Sequence, residues 1–410
     1  MTGTVDQGLY DAHPYPYYAQ LRAEPVREQP GVGYVVSRHE DVLAVLRDPD
    51  TYSAAFNPGF ASSRMTLNPR PPSVDAIMAQ GFTECPALAH TDGDTHKRHR
   101  RYVNRAFTAR QVRQLEPSIE TVADELIDRF VARGTVELLT EFSGPLPLTM
   151  IVDALGLPRA DLPLFWEWTE ALQGIRAREV PEDEFVARAH RYVEFQHYFA
   201  AAAAERRAAP RDDLITAIVT AGAEGEVPLE QGELMNIFAQ LLLGGNETAA
   251  STFNSGMLTL ARDPLRQEQL RADPTLVPDF VEEVLRKESP VLAIPRIATK
   301  DTRIGAVDIP AGARLLVLFG SANRDDDVFA DADRFDPGRP NLRHHVAFGN
   351  GVHLCVGAPL ARAELRIGFA RLLARLGPFR PAPGFEPNYV GGPMSHRLDR
   401  LDLVFEPTAG

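Results

Sequence analysis

Apolar side chains recur every three or four positions over most of this chain, which is the spacing of one face of an α-helix. The clearest series stops just before Gly134, a residue type that often ends helices. Its apolar positions are Ile119, Val122, Leu126, Ile127 and Phe130. The pattern therefore predicts a mainly α-helical protein.

The same spacing predicts several other helices. They cover residues 165–174, 182–209 and 360–376, and a further one starts at Asp212-Asp213. A longer series runs over about residues 228–261 and is closed by Asp263-Pro264. At about 1.5 Å per residue this helix would span roughly 50 Å, enough to cross a whole domain.

Strand signals are few and short. The best runs of β-branched and aromatic residues lie at 33–37, 136–139, 314–319 and 401–405. Residues 325–343 are rich in Asp, Pro, Gly and Arg and are predicted to be irregular but ordered, and residues 57–90 to form a long loop. No linker, repeat or low-complexity tract divides the chain, which predicts a single domain over residues 1–410.

Composition narrows the class of protein. The net charge of −13 argues against nucleic acid as a partner. The two cysteines, Cys85 and Cys355, lie far apart in sequence, which argues against a disulfide framework and for a reducing cytoplasm. The first ten residues lack the apolar run of a signal peptide, and no run approaches 18 apolar residues. We therefore expect a cytoplasmic protein without a membrane anchor.

The most informative segment is residues 348–357, with the sequence Phe-Gly-Asn-Gly-Val-His-Leu-Cys-Val-Gly. A cysteine in a glycine-rich loop just before a helix gains from the unpaired N–H groups and partial positive charge of the helix N-terminus. Both favour the thiolate over the thiol. The glycines allow the backbone to approach a flat cofactor closely. The alternative is a structural cysteine beside a turn.

These ten residues fit the pattern F-G-x-G-x-H-x-C-x-G and resemble the haem-binding loop of the cytochrome P450 family. The resemblance implies a mainly α fold with small satellite β-sheets and haem b as the cofactor. It makes Cys355 the ligand of the iron, and Phe348, Gly349 and Gly357 part of the haem-binding loop. The motifs below occur in the family's order and extend the resemblance from Tyr10 onward.

Within the long helix lies Leu243-Gly244-Gly245-Asn246-Glu247-Thr248-Ala249. Two mid-helix glycines cost about 1 kcal/mol each relative to alanine, so a compensating role is expected. The segment resembles the family's oxygen-activation motif [A/G]-G-x-[D/E]-T-[T/S]. The resemblance implies that Gly244 and Gly245 make room for the cofactor, while Glu247 relays protons and Thr248 holds a water molecule. Ala249 departs from the usual second hydroxyl. The alternative is a helix-packing point with a surface glutamate.

Charged residues are expected to form two further groups. By resemblance, Glu283 and Arg286 pair with Arg339 in a buried network that supports the cysteine loop; by themselves, a Glu and an Arg at this spacing are more commonly a solvated pair. The haem propionates need cations, and the positions that match the family pattern are His96, Arg100, Arg296 and His353. For residues 96–101, a solvated basic face is the alternative.

The resemblance also indicates which residues line the substrate pocket, and they are apolar here. They are Phe56, Phe60, Met78, Phe82, Phe238, Leu241, Leu242, Val291, Leu292, Ile294 and Met394. Apolar walls favour a lipophilic small molecule. Ordinary core packing is the alternative role for each of them.

The resemblance implies a monomeric bacterial-type monooxygenase that inserts one atom of O₂ into a C–H bond. Its electrons would come from NAD(P)H through a ferredoxin reductase and a ferredoxin. We expect this acidic ferredoxin to dock on a basic patch formed by Lys97, Arg98, Arg101, Arg105, Arg343, Arg362 and Arg366. The alternatives are a peroxide-driven peroxygenase and a non-enzymatic haem sensor. The substrate, the product type and the effect of Ala249 are left open by the sequence.

Overall fold

The structure is a computed structural model that describes residues 7–10, 13–55, 71–83, 85–105, 107–174, 181–220 and 227–407. Contacts between Cα atoms divide the chain into two compact units. Unit 1 comprises Met1–Ser53, Val112–Pro147 and Glu247–Gly410, and unit 2 comprises Ala54–Gln111 and Leu148–Asn246. The single domain expected from the sequence stays a prediction.

Helices dominate the described residues. In chain order they are α1 (Tyr15–Leu21), α2 (His39–Arg47), α3 (Pro72–Met78), α4 (Gly93–Asn104), α5 (Ala109–Asp128), α6 (Pro145–Ala154), α7 (Leu162–Gly174), α8 (Glu182–Ala208), α9 (Leu214–Thr220), α10 (Gln231–Ala261), α11 (Pro264–Ala272), α12 (Val277–Lys287), α13 (Phe319–Ala322) and α14 (Ala358–Arg375). None of these helices, within the residues described, combines the length and apolar character needed to cross a bilayer.

The strands are short and belong to unit 1. They are β1 (Val26–Gln29), β2 (Gly33–Val36), β3 (Tyr52–Ser53), β4 (Thr135–Glu137), β5 (Ala293–Ala298), β6 (Thr302–Ile304), β7 (Val307–Ile309), β8 (Arg314–Leu318), β9 (Phe379–Pro381), β10 (Tyr389–Gly392), β11 (Ser395–Leu398) and β12 (Asp402–Phe405). They form a five-stranded sheet of order β1-β2-β8-β5-β3, a three-stranded sheet β4-β12-β9, and the hairpins β6-β7 and β10-β11. In the largest sheet β2 and β8 are parallel, while β5 and β8 are antiparallel.

The core of unit 1 lies on the five-stranded sheet. Val36, Val317 and Leu315 are buried against the α2 residues Val42 and Val45. In the helical part, the ring of Phe253 from α10 lies 5.1 Å from that of Phe369 in α14. Burial of such side chains contributes roughly 1.5–3 kcal/mol each. This packing joins the long helix to the helix that follows the cysteine loop.

Unit 2 is held by aromatic packing between helices. Phe165 and Trp168 of α7 contact Phe199 of α8 at centroid distances of 6.1 and 6.5 Å. Phe199 in turn lies 4.8 Å from Phe238 in the first half of α10. The buried Arg206 bonds Asp213 at 2.6 Å and the backbone oxygen of Gly156 at 2.6 Å, so its charge is compensated.

The expected mainly α fold with small satellite sheets is confirmed. The long helix starts at Gln231 rather than near residue 228, and the predicted strands appear within one or two residues of their expected bounds. Residues 57–90 are not one irregular loop, because their apolar residues Val74 and Ile77 pack α3 against Ala189 and Val193. Phe56 and Phe60 lie outside the described residues.

Candidate functional site

The cysteine loop is closed by its own backbone. The N–H of Cys355 donates to the carbonyl of Phe348 at 2.9 Å. Gly349 and Gly351 have φ angles of 72° and 68°, in the left-handed region that glycine adopts without steric cost. A Cβ on Gly351 would come within 2.4 Å of the Leu46 carbonyl oxygen, so the loop also needs glycine to pack against α2.

Cys355 lies where a helix begins. Gly357 is the N-cap of α14, an 18-residue helix with a proline in its first turn. The side chain of Cys355 is exposed. A thiol two residues before a helix N-cap experiences the positive end of the helix dipole, which favours its deprotonation. The loop therefore presents one sulfur ligand to its surroundings.

Phe348, at the start of the loop, is covered by a cation. The guanidinium carbon of Arg362 lies 4.4 Å from the Phe348 ring centroid. Arg362 also makes two hydrogen bonds to Glu282, of 2.6 and 3.0 Å. His345 Nδ1 accepts from the N–H of Ala347, so Nε2 carries the proton and donates to Glu282 at 3.0 Å.

This pairing decides the charge of Glu282. Burial by itself would raise the pKa of Glu282, but the hydrogen bonds from His345 and Arg362 lower it to about 2. Glu282 therefore stays ionised at neutral pH. It ties α12 to both sides of the cysteine loop, because His345 precedes the loop and Arg362 follows it.

The neighbouring carboxylate, Glu283, is the centre of a second buried network. Arg286 donates to it through two nitrogens, at 2.7 and 2.8 Å, and both side chains have zero exposure. Arg339 Nε lies 3.3 Å from Glu283 Oε1 and the N–H of Asp336 donates to the same oxygen at 2.7 Å. The two predicted partners of Glu283 thus meet it in the structure.

On α10, Glu247 and Thr248 lie in unit 1. Glu247 Oε1 is 3.2 Å from Arg397 Nε on β11. One turn further along, Ser251 Oγ donates to the backbone oxygen of His396 at 2.7 Å. The Thr252 hydroxyl donates to the Thr248 carbonyl at 2.8 Å. Thr248 itself is half-buried.

The two motif glycines lie in unit 2. Gly244 is exposed, although the three residues before it in α10, Leu241, Leu242 and Leu243, are buried. A Cβ built on Gly244 would meet no atom within 4 Å, whereas one on Gly245 would contact Ile151 at 3.9 Å. The helix surface at Gly244 therefore borders open space in the part of the chain that the structure describes.

The predicted propionate-binding cations divide between the units. Arg296 of unit 1 is 6% exposed, on β5, with Nη1 donating to the Pro295 carbonyl at 2.8 Å. His353 is half-buried in the cysteine loop. In unit 2, His96 of α4 is 4% exposed and Arg100, one turn later, is half-buried.

A buried histidine that the sequence analysis did not single out, His99, holds α4 in unit 2. Its Nδ1 accepts from the N–H of Leu88 at 3.0 Å, and its Nε2 donates to Glu233 at 3.1 Å. Leu88 has a φ of 46°, an unfavourable conformation for a leucine. Burial lowers the pKa of His99, although Glu233 opposes this shift. His99 therefore fixes the segment before α4 beside the start of α10.

Of the predicted pocket residues that the structure describes, four are buried and five are half-buried. Phe238 and Leu242 have zero exposure, Leu241 has 6% and Leu292 has 1%. Those that are only half-buried are Met78, Phe82, Val291, Ile294 and Met394. None of these residues lines the 760 Å³ groove beside strands β4 and β12, whose walls include Arg133, Glu141 and Arg400.

The cations of the predicted basic patch are largely ion-paired. In unit 1, Arg362 pairs with Glu282, Arg366 with Glu116 at 2.9 Å, and Arg343 lies 3.7 Å from Asp279. In unit 2, Lys97 pairs with Asp94 at 3.1 Å and Arg98 with Glu233. Arg343 is nevertheless 66% exposed and the apolar Val352 and Leu354 beside the cysteine are 48% and 45% exposed.

These residues fit a haem group by the chemistry of their donors. One exposed sulfur at a helix N-terminus suits a single axial ligand to iron. Arginines and histidines suit two carboxylates. The open helix surface at Gly244 suits a flat ring that approaches the backbone.

Sequence reasoning missed Arg397, Glu282, His345 and His99. Arg397 and Glu247 are far apart in the chain, so no local pattern relates them. Glu282 stands beside Glu283, and helix periodicity does not tell which of two adjacent acids meets which arginine. For His99, the only local signal is a histidine inside an otherwise basic helix segment.

Comparisons with known proteins point to a single family. A family model described as Cytochrome P450 matches residues 184–379. Cytochrome P450 107B1 of Saccharopolyspora erythraea is 37% identical over 89% of this chain and 88% of its own length. Steroid C26-monooxygenase of Mycobacterium tuberculosis is 31% identical over 100% of this chain and 99% of its own. Among solved structures, cytochrome P450 CREJ in complex with (4-ethylphenyl) dihydrogen phosphate is similar with a TM-score of 0.89, at 26% identity, over 99% and 100% of the two chains.

Proposed function

Since this chain belongs to the cytochrome P450 family and is a haem-thiolate monooxygenase, we propose that it oxidises a lipophilic small molecule with electrons from a ferredoxin-type protein. The overall reaction consumes the substrate, O₂, two electrons and two protons, and it releases the oxygenated product and water. When bound, haem would supply the activation of O₂ and the insertion of oxygen into a C–H bond.

The protein's own residues would bind, orient and move protons. Cys355 would provide the sulfur ligand, and Arg296, His353, His96 and Arg100 would neutralise the propionates. The Thr248 hydroxyl would hold a water molecule, and Glu247 would exchange protons with solvent. The observation that carries the proposal is the exposed Cys355 at the start of α14 in a loop braced by Glu282 and Arg362.

A test of this assignment uses Cys355→Ser and Cys355→His in the haem-loaded protein. Thiolate ligation gives a strongly red-shifted Soret band when the reduced protein binds carbon monoxide. We expect this band in the parent and its loss in both variants, with haem retained in Cys355→His. Persistence of the band in either variant would mean that another group ligates the iron.

The lipophilic substrate is inferred from side chains. Phe238, Leu241 and Leu242 of α10, which the resemblance assigns to the pocket, are apolar, and apolar walls favour ligands with few polar groups. The name of the Mycobacterium tuberculosis relative specifies a steroid, which is such a molecule. Screening steroids, fatty acids and aromatic compounds for the low-to-high-spin Soret shift would identify the class, and response only to charged polar compounds would contradict it.

The electron donor is inferred from charge around the cysteine loop. Asp279 and Glu282 lie on one face of α12; Arg343 is 3.7 Å from Asp279 and largely exposed, while Arg362 is bonded to Glu282 beside the loop. An acidic ferredoxin would add its carboxylates to this surface. We expect its reduction rate to fall with ionic strength and with Arg343→Glu, while Arg303→Glu, a matched change at an exposed ion pair, has no effect. Equal turnover with hydrogen peroxide alone would favour the peroxygenase instead.

A further inference from the structure

The acid of the oxygen motif is bound by a residue that its own motif does not contain. Arg397 Nε lies 3.2 Å from Glu247 Oε1, and the two side chains are 35% and 28% exposed. Arg397 belongs to β11, near the end of the chain, where it is paired with Val390 of β10. The contact therefore joins the C-terminal hairpin, β10-β11, to the long helix.

The hairpin meets this face of α10 at two adjacent strand residues. His396, next to Arg397, accepts a hydrogen bond from Ser251 Oγ through its backbone oxygen at 2.7 Å. Glu247 and Ser251 are four residues apart and so lie on one face of the helix. The Arg397–Glu247 and His396–Ser251 contacts therefore attach β11 to the same face of α10, one helical turn apart.

The strand that carries Arg397 is anchored through the neighbouring residue, His396. The His396 ring stacks on Tyr389 with centroids 4.2 Å apart and an interplanar angle of 8°. Its Nδ1 lies 3.2 Å from the hydroxyl of Tyr15, and its backbone N–H donates to Pro290 at 3.1 Å. These contacts fix the position of the backbone from which the Arg397 side chain starts.

Glu247 and Thr248 face different directions. Successive helical residues are rotated by about 100°, so Thr248 shares its face with Gly244 and Thr252, not with Glu247 and Ser251. Arg397 therefore holds the Glu247 carboxylate on the hairpin side of the helix. To serve a water molecule held by Thr248, the carboxylate has to leave the guanidinium.

We propose that Arg397 is a positioning residue for proton delivery, a latch that holds Glu247 away from Thr248 until their ion pair opens. The inference rests on the proposed roles of Glu247 and Thr248. In each delivery, the Glu247 carboxylate leaves Arg397, takes one proton from solvent, and passes it to the water molecule at Thr248. It returns to Arg397 as a carboxylate, so charge and protons balance.

Opening the Arg397–Glu247 ion pair adds to the free-energy barrier for proton delivery, and Arg397→Gln removes this contribution. An ion pair of this exposure changes an equilibrium by no more than about fivefold. With saturating redox partner, we expect Arg397→Gln to raise the proton-dependent part of kcat by roughly two- to fivefold. The solvent deuterium isotope effect on kcat moves toward one. The KM and the substrate-induced Soret shift stay unchanged, and Arg397→Lys restores the parent isotope effect.

The control variants separate the latch from a general effect of charge or folding. Arg400→Gln removes the same charge three residues away, from an exposed pair with Asp402, and should leave the isotope effect unchanged. The double variant Arg397→Gln/Glu247→Gln should behave like Glu247→Gln alone. In thermal unfolding of the resting protein, the two single changes should be non-additive, a readout that needs no turnover.

Each outcome decides a different point. If Arg397→Gln leaves the isotope effect of the parent unaltered, or if its effect persists in the Glu247→Gln background, Arg397 does not act through Glu247 and the latch is wrong. If Glu247→Gln itself leaves proton delivery intact, the proposed role of Glu247 fails, and the latch fails with it. If the shifts in unfolding temperature caused by Arg397→Gln and Glu247→Gln simply added in the double variant, the two side chains would not interact, and the latch would also be wrong.

Discussion

The guanidinium of Arg362 lies over the ring of Phe348, 4.4 Å from its centroid. The same guanidinium holds Glu282 with two hydrogen bonds. A cation over a ring and a bidentate bond to a carboxylate both require the planar arginine side chain. The cysteine loop is thereby attached to α12 through one charged residue.

Glu282→Gln should destabilise the haem-loaded protein at neutral pH by about 3 kcal/mol, because a buried carboxylate that pairs with two partners is lost. The pKa of Glu282 is lowered to about 2, so its contribution is complete above the unfolded value of about 4.3 and disappears as the pH falls through about 2. Urea unfolding across this range measures it. If the difference in free energy of unfolding between parent and variant grew toward acid pH, the lowered pKa of Glu282 would be contradicted.

Glu283→Gln and Arg286→Met should each leave a buried partner uncompensated and cost roughly 3–5 kcal/mol. We expect low haem content in the purified protein, with helical circular dichroism retained at low temperature. The matched control is Asp308→Asn, which breaks an arginine–carboxylate pair that is 63% and 75% exposed and should cost less than about 1 kcal/mol. Stable, haem-loaded Glu283 or Arg286 variants would refute the supporting role.

His99 should make stability fall on acidification. Burial lowers its pKa, so the unfolded chain binds the proton first as the pH drops below about 6.5. His99→Asn keeps an acceptor near Nδ1 for the Leu88 N–H and does not titrate. We expect the free energy of unfolding of this variant to change less between about pH 7 and pH 5 than that of the parent. The exposed His190→Asn is the control, and an equal pH dependence in all three proteins would reject the prediction.

Thr248→Ala should divert electrons from product to hydrogen peroxide, because a water molecule loses the hydroxyl that holds it. We expect product formed per NAD(P)H to fall by roughly tenfold or more, with little change in NAD(P)H consumption. Thr259→Ala is the control, since it removes another threonine hydroxyl further along α10, one that donates to the Ser255 carbonyl at 2.8 Å. Unchanged coupling in Thr248→Ala would show that another group manages the protons.

Gly244→Leu should separate folding from haem binding. Among the described residues, and apart from the backbone of α10 itself, no atom lies within 4 Å of a Cβ built at Gly244, and leucine favours a helix over glycine by about 1 kcal/mol. We expect the haem-free variant to unfold at the same or higher urea concentration than the parent, but to bind haem less. Gly244→Ala, with a smaller side chain, should have an intermediate haem content. Full haem loading of Gly244→Leu would mean that the open space is not used by the ring.

Local patterns in the sequence were enough to predict the mainly α fold. They also predicted the side chains that meet because they lie in one helix or one loop. Glu283 and Arg286 are one helical turn apart, so their meeting needs only the helix. Gly349, Gly351 and Cys355 lie in one short loop whose closure is settled by left-handed glycines and a nearby helix start. Periodicity and backbone conformation depend only on residues that are close together in the sequence. They can therefore be predicted without knowing how the helices and strands pack.

Tertiary structure alone decided which charged groups from distant segments meet. Glu247 with Arg397, Glu282 with His345 and Arg362, and His99 with Leu88 and Glu233 depend on where whole elements pack. A carboxylate has the same local signature whether it faces water, an arginine or a histidine. Its partner is set by burial of apolar surface elsewhere in the fold, and that selects the electrostatic environment in which the group works.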